Sequence, residues 1–326
     1  MRKTAIILSV ILLALIITSV VNGSVDIPLR KLLNAIERPG DDPITAKIIF
    51  GLRIPQCLTA ILAGASLSVA GLMLQTTLGN PLAGPSILGI STGASLGVAV
   101  ITILTGSLAA TATISGALVG ALAVLALIMS LSAAVRSNTM LLIIGIMISS
   151  MGASAIELLN FWSPAESVKS FAVWGMGTFA NVQPAQMPVF LSVCIVGIVG
   201  GLLQSKNLNA LLLGENYAAS IGVDVKKSRF LLLLTTGILT AIVTAYCGPV
   251  AFIGLAVPHV ARMILKTSDH RRLFPITILL GAIIALGCHI ICVGFPSLGQ
   301  LPLNAVTPVF GAPVVIYVAT RGRRMQ

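Results

Sequence analysis

The chain has 326 residues, 56% of them hydrophobic and only 9% charged. A water-soluble domain carries about 25% charged residues, so the composition excludes a soluble globular protein and makes lipid the solvent for most of the chain. The net charge of +11 fits basic loops gathered on one side of a membrane and calls for no nucleic acid.

A membrane span needs about 20 apolar residues, and such runs recur along the chain. Arg2 and Lys3 precede the first, 4–21. It is long for a signal peptide and no A-x-A site follows, so a retained helix is expected. Residues 25–47 are polar, with Pro28, Pro39 and Pro43, and are too hydrophilic to span. The second apolar run is 52–78. The turn Asn80-Pro81-Leu82-Ala83-Gly84-Pro85 leads into a small-residue helix, the third. Runs four and five are 108–135 and 140–161. A loop with an amphipathic piece, Ser167 to Phe179, separates the fifth from the sixth, 187–203. Runs seven to ten are 230–247, 252–265, 274–293 and 306–319. The pattern predicts an all-α polytopic membrane protein of about ten transmembrane helices, with residues 1–326 forming a single domain.

Basic residues orient the chain. With the N-terminus inside, the inner segments hold Arg2, Lys3, Arg136, Lys206, Lys226, Lys227, Arg229, Arg262, Lys266, Arg271, Arg272, Arg321, Arg323 and Arg324. The outer ones hold Arg30, Lys31, Arg38, Lys47, Arg53 and Lys169. Acids run the other way, with Asp26, Glu37, Asp41, Asp42 and Glu166 outside. The bias predicts both termini in the cytoplasm.

Two Gly-Pro breaks stand out, one at Pro81, Gly84 and Pro85 and one at Gly248 and Pro249. Each is followed by a short helix, and the topology puts them at opposite faces. Paired breaks of opposite orientation suggest an inverted repeat of helices 2–5 and 7–10, with a transport pathway between the halves. Gly93/Gly97, Gly116/Gly120 and Gly197/Gly201 are i,i+4 pairs that permit close helix crossing in lipid.

Residues 205–229 form a polar island between apolar runs. Residues 213–223 within it read as a short helix, with Glu215 near its start and Gly222 at its end. The island is either a solvated connector or a handle for another protein. No Gly-rich phosphate loop with a following Lys-Ser/Thr occurs, so the chain is not itself an ATPase. No catalytic constellation, metal site or cofactor motif stands out, and the five Cys (57, 194, 247, 288 and 292) read as small apolar helix residues. Glu157 is the clearest intramembrane acid. It could line a pathway, pair with a cation or sit hydrated at the outer interface. An ion-driven carrier would carry several such groups, which points to an external energy source.

Five motifs lie in order along the chain. They are Leu52-Arg53-Ile54-Pro55; Asn80-Pro81-Leu82-Ala83 with Ile87-Leu88-Gly89; and Leu213-Gly214-Glu215 with Ala219 and Ile221-Gly222-Val223. Phe252-Ile253-Gly254-Leu255 with Pro258-His259 and Arg262, and Leu301-Pro302 with Thr307 and Gly311-Ala312-Pro313, complete the set. Together the chain resembles the bacterial ABC permease family for iron–siderophore, haem and vitamin B12 import. The resemblance implies an inner-membrane permease that pairs with a second permease subunit. Two cytoplasmic ATPase subunits and an extracytoplasmic substrate-binding protein are its further partners. It makes 205–229 the coupling loop, with Leu213, Gly214, Glu215, Ala219 and Gly222 at the ATPase. It assigns Arg53 to binding-protein docking and puts Glu157 and Asn160 near the outer mouth of the pathway. Gln56 stands where the family carries a second Arg, and Gly84 and Asn304 replace a common acid and a common Gly without an expected effect on the fold. Two other readings are an ion-gradient-driven secondary transporter and a divalent-metal ABC permease.

Overall fold

The computed structural model describes residues 2–23, 27–37, 40–105, 109–135, 137–294 and 300–322. Arg38, Arg136, Arg323, Arg324 and Asp26, which entered the charge bias, lie outside the described residues. Among the described residues every regular element is helical. The apolar runs become α1 (Arg2–Val21), α4 (Ile54–Thr77), α5 (Ile90–Thr105), α6 (Ala110–Ala134) and α7 (Asn138–Phe161). The later ones become α9 (Met187–Leu203), α12 (Val225–Cys247), α13 (Ile253–Leu265), α14 (His270–Val293) and α15 (Leu303–Gly322). Among the described residues six helices are long and apolar enough to cross a membrane. A seventh is the pair α9 and α10 (Ser205–Leu211), bent by 50°, and α5, α13 and α15 are shorter apolar helices.

The polar stretch before the second run is more ordered than its composition suggests. It holds α2 (Leu29–Glu37) and α3 (Pro43–Ile48). Asp42 caps α3 by accepting from the Thr45 N–H (3.1 Å) and hydroxyl (2.8 Å), and Pro43 takes the first helical position, where its missing N–H costs nothing. A π-helical turn, Ile49–Arg53, then joins α3 to α4. The result is one 35-residue helix from Pro43 to Thr77, which starts well before the expected residue 52.

This helix is the centre of the molecule: 83% of its most apolar stretch is buried, against α9, α12, α13 and α14. Its close neighbours need glycine. A Cβ on Gly71 would overlap the Gly254 carbonyl oxygen of α13, and one on Gly64 would overlap the Gly281 carbonyl oxygen of α14. The expected pairs behave likewise. Gly93 and Gly97 of α5 lie against Gly120 and Gly116 of α6, and Gly197 of α9 faces Leu239 of α12. Such contacts let helices approach backbone to backbone, where dispersion and weak hydrogen bonds replace a hydrophobic drive.

The packing has a correspondence between its halves. α4 packs on α14 as α12 packs on α6; α5 packs on α6 and α7 as α13 packs on α14 and α15; α4 meets α13 as α12 meets α5.

The breaks are built differently from the expectation. α4 ends at Thr77, ahead of Pro81 and Gly84. Asn80 then folds back, its Oδ1 accepting from Leu82 N (2.8 Å). Gly84 is extended (φ −123°, ψ 161°) and uses none of its glycine freedom; after the 3-10 turn Pro85–Leu88 it is Gly89, at φ 79°, that turns the chain into α5. In the second break Gly248 does take φ 75°, and Phe252 takes φ 66°, a costly conformation for a bulky residue. Gly311 of α15 leaves the space into which the Phe252 side chain presses. Asn304 stitches this region: its Nδ2 donates to the carbonyls of Pro249 (2.6 Å) and Gly175 (3.2 Å), and its Oδ1 accepts from Ala251 N (3.2 Å). The residue that departs from the family's glycine therefore holds the break to the end of α8 (Ala165–Gly175).

Candidate functional site

The polar island folds as α10, a turn, and α11 (Glu215–Ser220). Leu213 lies in the turn, so the helix is shorter than residues 213–223. Gly214 has φ 99° and ψ 154°, a region open essentially to glycine alone, and Gly222 has φ 88°. The two set the entrance and exit of α11. Ala218 is buried against the body of the molecule, whereas Ala219 is exposed. The exposed side carries Leu212, Leu213, Tyr217 and Ile221, the last three 65%, 48% and 54% accessible. Four large apolar side chains crowded on one polar loop form the kind of exposed patch that marks a protein or membrane contact. Of this face the sequence motifs single out Leu213 but not Leu212 or Tyr217.

Two polar chains fasten the loop to the helices. In the first, Asn138 at the start of α7 donates from Nδ2 to Glu215 Oε1 (3.2 Å), and its Oδ1 accepts from Arg229 Nη2. Arg229 Nη1 also donates to the Val135 carbonyl at the end of α6 (3.3 Å). Arg229, counted above among the inner basic residues, is buried and joins α6, α7 and α12. In the second, Asn209 of α10 accepts at Oδ1 from the His270 backbone N–H (2.8 Å) and donates from Nδ2 to Asp269 (2.7 Å). That amide, first among several favourable contacts, holds the Asp269 carboxyl below its ordinary range. The His270 ring bridges Asn209 (2.9 Å) and Thr76 of α4 (2.8 Å). The loop is therefore tied by side chains to both ends of the packing: to α6 and α7 through Asn138 and Arg229, and to α4 and α14 through Asn209 and His270.

The Asn80–Ala83 turn lies beside these. His259 of α13 bonds the Pro81 carbonyl (2.7 Å), and Arg262 donates to Gln75 Oε1 (2.6 Å), whose amide donates to the Leu255 carbonyl (3.1 Å). His259 and His270 thus bond protein groups in separate networks, and His289 meets the edge of Phe179 with ring centroids 6.2 Å apart. The three histidines do not converge, and among the described residues no cluster of three His, Cys, Asp or Glu could hold a metal ion.

Arg53, which the resemblance assigns to docking, is bonded within the chain. It is only 5% accessible, and its Nη1 donates to the carbonyls of Val20 (2.7 Å) and Val21 (2.6 Å). The guanidinium caps the C-terminal end of α1, where a cation is favoured by the helix dipole. Its charge is thereby turned inward, and Gly23 lies close against it.

Glu157 and Asn160 lie on α7, of which only 17% of the apolar stretch is buried. Glu157 is exposed on the same helical stripe as Ser150, Met151, Ser154 and Phe161. Asn160 is half-buried, with its Oδ1 lacking a hydrogen-bond partner. The stripe mixes hydroxyls, one carboxylate and large apolar groups. It suits neither a packed core nor a purely lipid-facing surface.

Comparison with known proteins accords with these features. Residues 11–321 match the FecCD transport family. The chain is 34% identical to the hemin transport system permease protein HmuU of Yersinia pestis, over 86% of this chain and 85% of that protein. It is 32% identical to the vitamin B12 import system permease protein BtuC of Vibrio cholerae, over 84% of this chain and 83% of that protein. Its fold superposes with TM-score 0.85 and 28% identity, covering 98% of this chain and 100% of the other, on a solved metal-chelate type ABC transporter in an inward-facing conformation. Matched along almost its whole length in both sequence and fold, the chain is a multi-pass membrane protein belonging to the FecCD transport family.

Proposed function

We propose that this chain is the permease subunit of an ATP-driven importer that carries an iron chelate, haem or cobalamin across the cytoplasmic membrane. The observation that carries the reading is α11: a short helix set between two left-handed glycines, apolar on its exposed side, tied through Glu215 to α7 and, through Asn209 of the adjoining α10, to α14. In this reading an ATPase subunit receives α11, and the permease itself hydrolyses nothing. The relatives named for hemin and vitamin B12 supply the substrate class. All ten apolar helices cross the membrane, with both termini in the cytoplasm. The matched packing of α4–α7 and α12–α15 supports an inverted repeat.

A second copy of the permease pairs through the exposed stripe of α7, so that Glu157 and Asn160 face a shared pathway. A binding protein delivers the substrate at the opposite membrane face from α11. If Glu157 lines the pathway, Glu157→Gln alters the uptake rate or its pH dependence. A transport profile identical to wild type at every pH would assign Glu157 to a hydrated interface instead.

The direct test of the partner is a cross-link. The five native cysteines are buried, so Ala219→Cys provides an accessible thiol on α11. A short bifunctional thiol reagent is expected to join it to a cysteine placed in the cleft of the ATPase subunit. Failure of that cross-link across a scan of the cleft would sink the assignment of α11.

A further inference from the structure

A cavity of about 650 Å³ opens between the end of α6, α11 and the start of α12. Its walls are of two kinds. Met129, Ala133 and Phe230 form an apolar side, and Phe230 is 50% accessible, so this side continues the outward surface of two membrane helices. Lys226, Arg229 and the Ser132 hydroxyl form a polar side.

Arg229 is the unusual member. It is 9% accessible, and its two terminal nitrogens bond only neutral oxygens, the Val135 carbonyl and the Asn138 amide. Its Nε is buried without any partner. Among the described residues the one ion pair within 4.0 Å is Arg272 with Asp269, so no described carboxylate touches this guanidinium directly. Glu215 also lines the cavity, but its Oε1 is engaged by Asn138. A buried charge without a counter-ion is expensive. The start of α12, a 23-residue helix, adds a positive end beside it; Asp224 caps only the Lys227 N–H (3.0 Å).

We infer that this cavity binds an anionic phospholipid from the leaflet on the α11 side. Its phosphate meets Arg229 Nε and Lys226, and its acyl chain runs along Met129 and Phe230. A free phosphate would satisfy the cations and leave the apolar wall in water. A zwitterionic lipid would bring its own cation to a site that already holds two. Bound there, the lipid touches the base of the loop that carries α11.

The test is native mass spectrometry of the detergent-solubilised permease, alone and in complex with its ATPase, titrated with phosphatidylglycerol or with phosphatidylcholine of the same chain length. Phosphatidylglycerol is expected to bind about tenfold more tightly, the worth of one charge-assisted contact. Lys226→Gln, which removes the rim charge, and Ala133→Trp, which fills the apolar side, are each expected to lower that preference severalfold. These two variants avoid Arg229, whose loss could unfold the junction of α6, α7 and α12. Equal binding of the two lipids overturns the proposal, as does an unchanged preference in both variants. Displacement by inorganic phosphate would make the cavity a phosphate site. Loss of the lipid on ATPase binding would give it to the partner protein. Either result also overturns the proposal.

Discussion

Gly71→Ala is expected to prevent normal assembly of the bundle. The added methyl would occupy the position of the Gly254 carbonyl oxygen, which belongs to backbone and cannot rotate away. α4 and α13 would have to separate, and α4 is also the helix on which α9, α12 and α14 pack. Overpacking a close interior contact costs about 1–3 kcal/mol, and here the displacement spreads to every neighbour. Gly287→Ala on α14 is the control, because nothing lies within 4 Å of its added Cβ. There the substitution removes backbone freedom from the unfolded chain and is neutral or favourable by up to about 1 kcal/mol. Size-exclusion profiles and melting temperatures of the two variants decide the matter. An unaltered melting temperature for Gly71→Ala would mean that α4 and α13 do not cross as described.

The second large effect concerns coupling. Glu215→Arg would break the contact with Asn138 and add a third cation to Lys226 and Arg229; Gly214→Ala would force a side chain into backbone angles that cost about 1–3 kcal/mol. Both changes lie on the loop and not in the helix packing, so the bundle should still assemble, with a melting temperature lowered by no more than a few degrees. Substrate uptake is expected to fall at least about tenfold, because a displacement costing one 1.4 kcal/mol step already reduces an equilibrium tenfold. Wild-type uptake in both variants would remove α11 from the energy path.

Much of this was readable before the fold was known. Apolar run length located the helices, since lipid leaves the backbone no partner but itself. The i,i+4 glycine pairs located the α5–α6 crossing, because both members of each pair lie on one helix. Gly64 and Gly71 gave no such signal: their partners, Gly281 and Gly254, are distant in sequence, and each contact is between single residues on different helices. The start of the long α3–α4 helix did leave a trace, Asp42 followed by Pro43, which composition alone obscured. The burial of Arg53 and of Arg229 was not legible in the sequence, for a common reason. A basic residue beside an apolar run is ordinarily an interfacial anchor, and only the tertiary fold shows that a helix end or an amide has drawn it inside. Gly84 lies between α4 and the 3-10 turn, but the sequence did not show that the left-handed residue the turn needs is Gly89.

The central claim is that energy enters through α11 from a separate ATPase. It is tested most directly by reconstituting the permease with its ATPase and binding protein in liposomes and following uptake of the chelate, haem or cobalamin. Uptake is expected to require ATP hydrolysis on the α11 side, to persist in the presence of a protonophore, and to fail with Glu215→Arg. Uptake that needs no ATP and collapses with the protonophore would contradict the account and identify an ion-driven carrier.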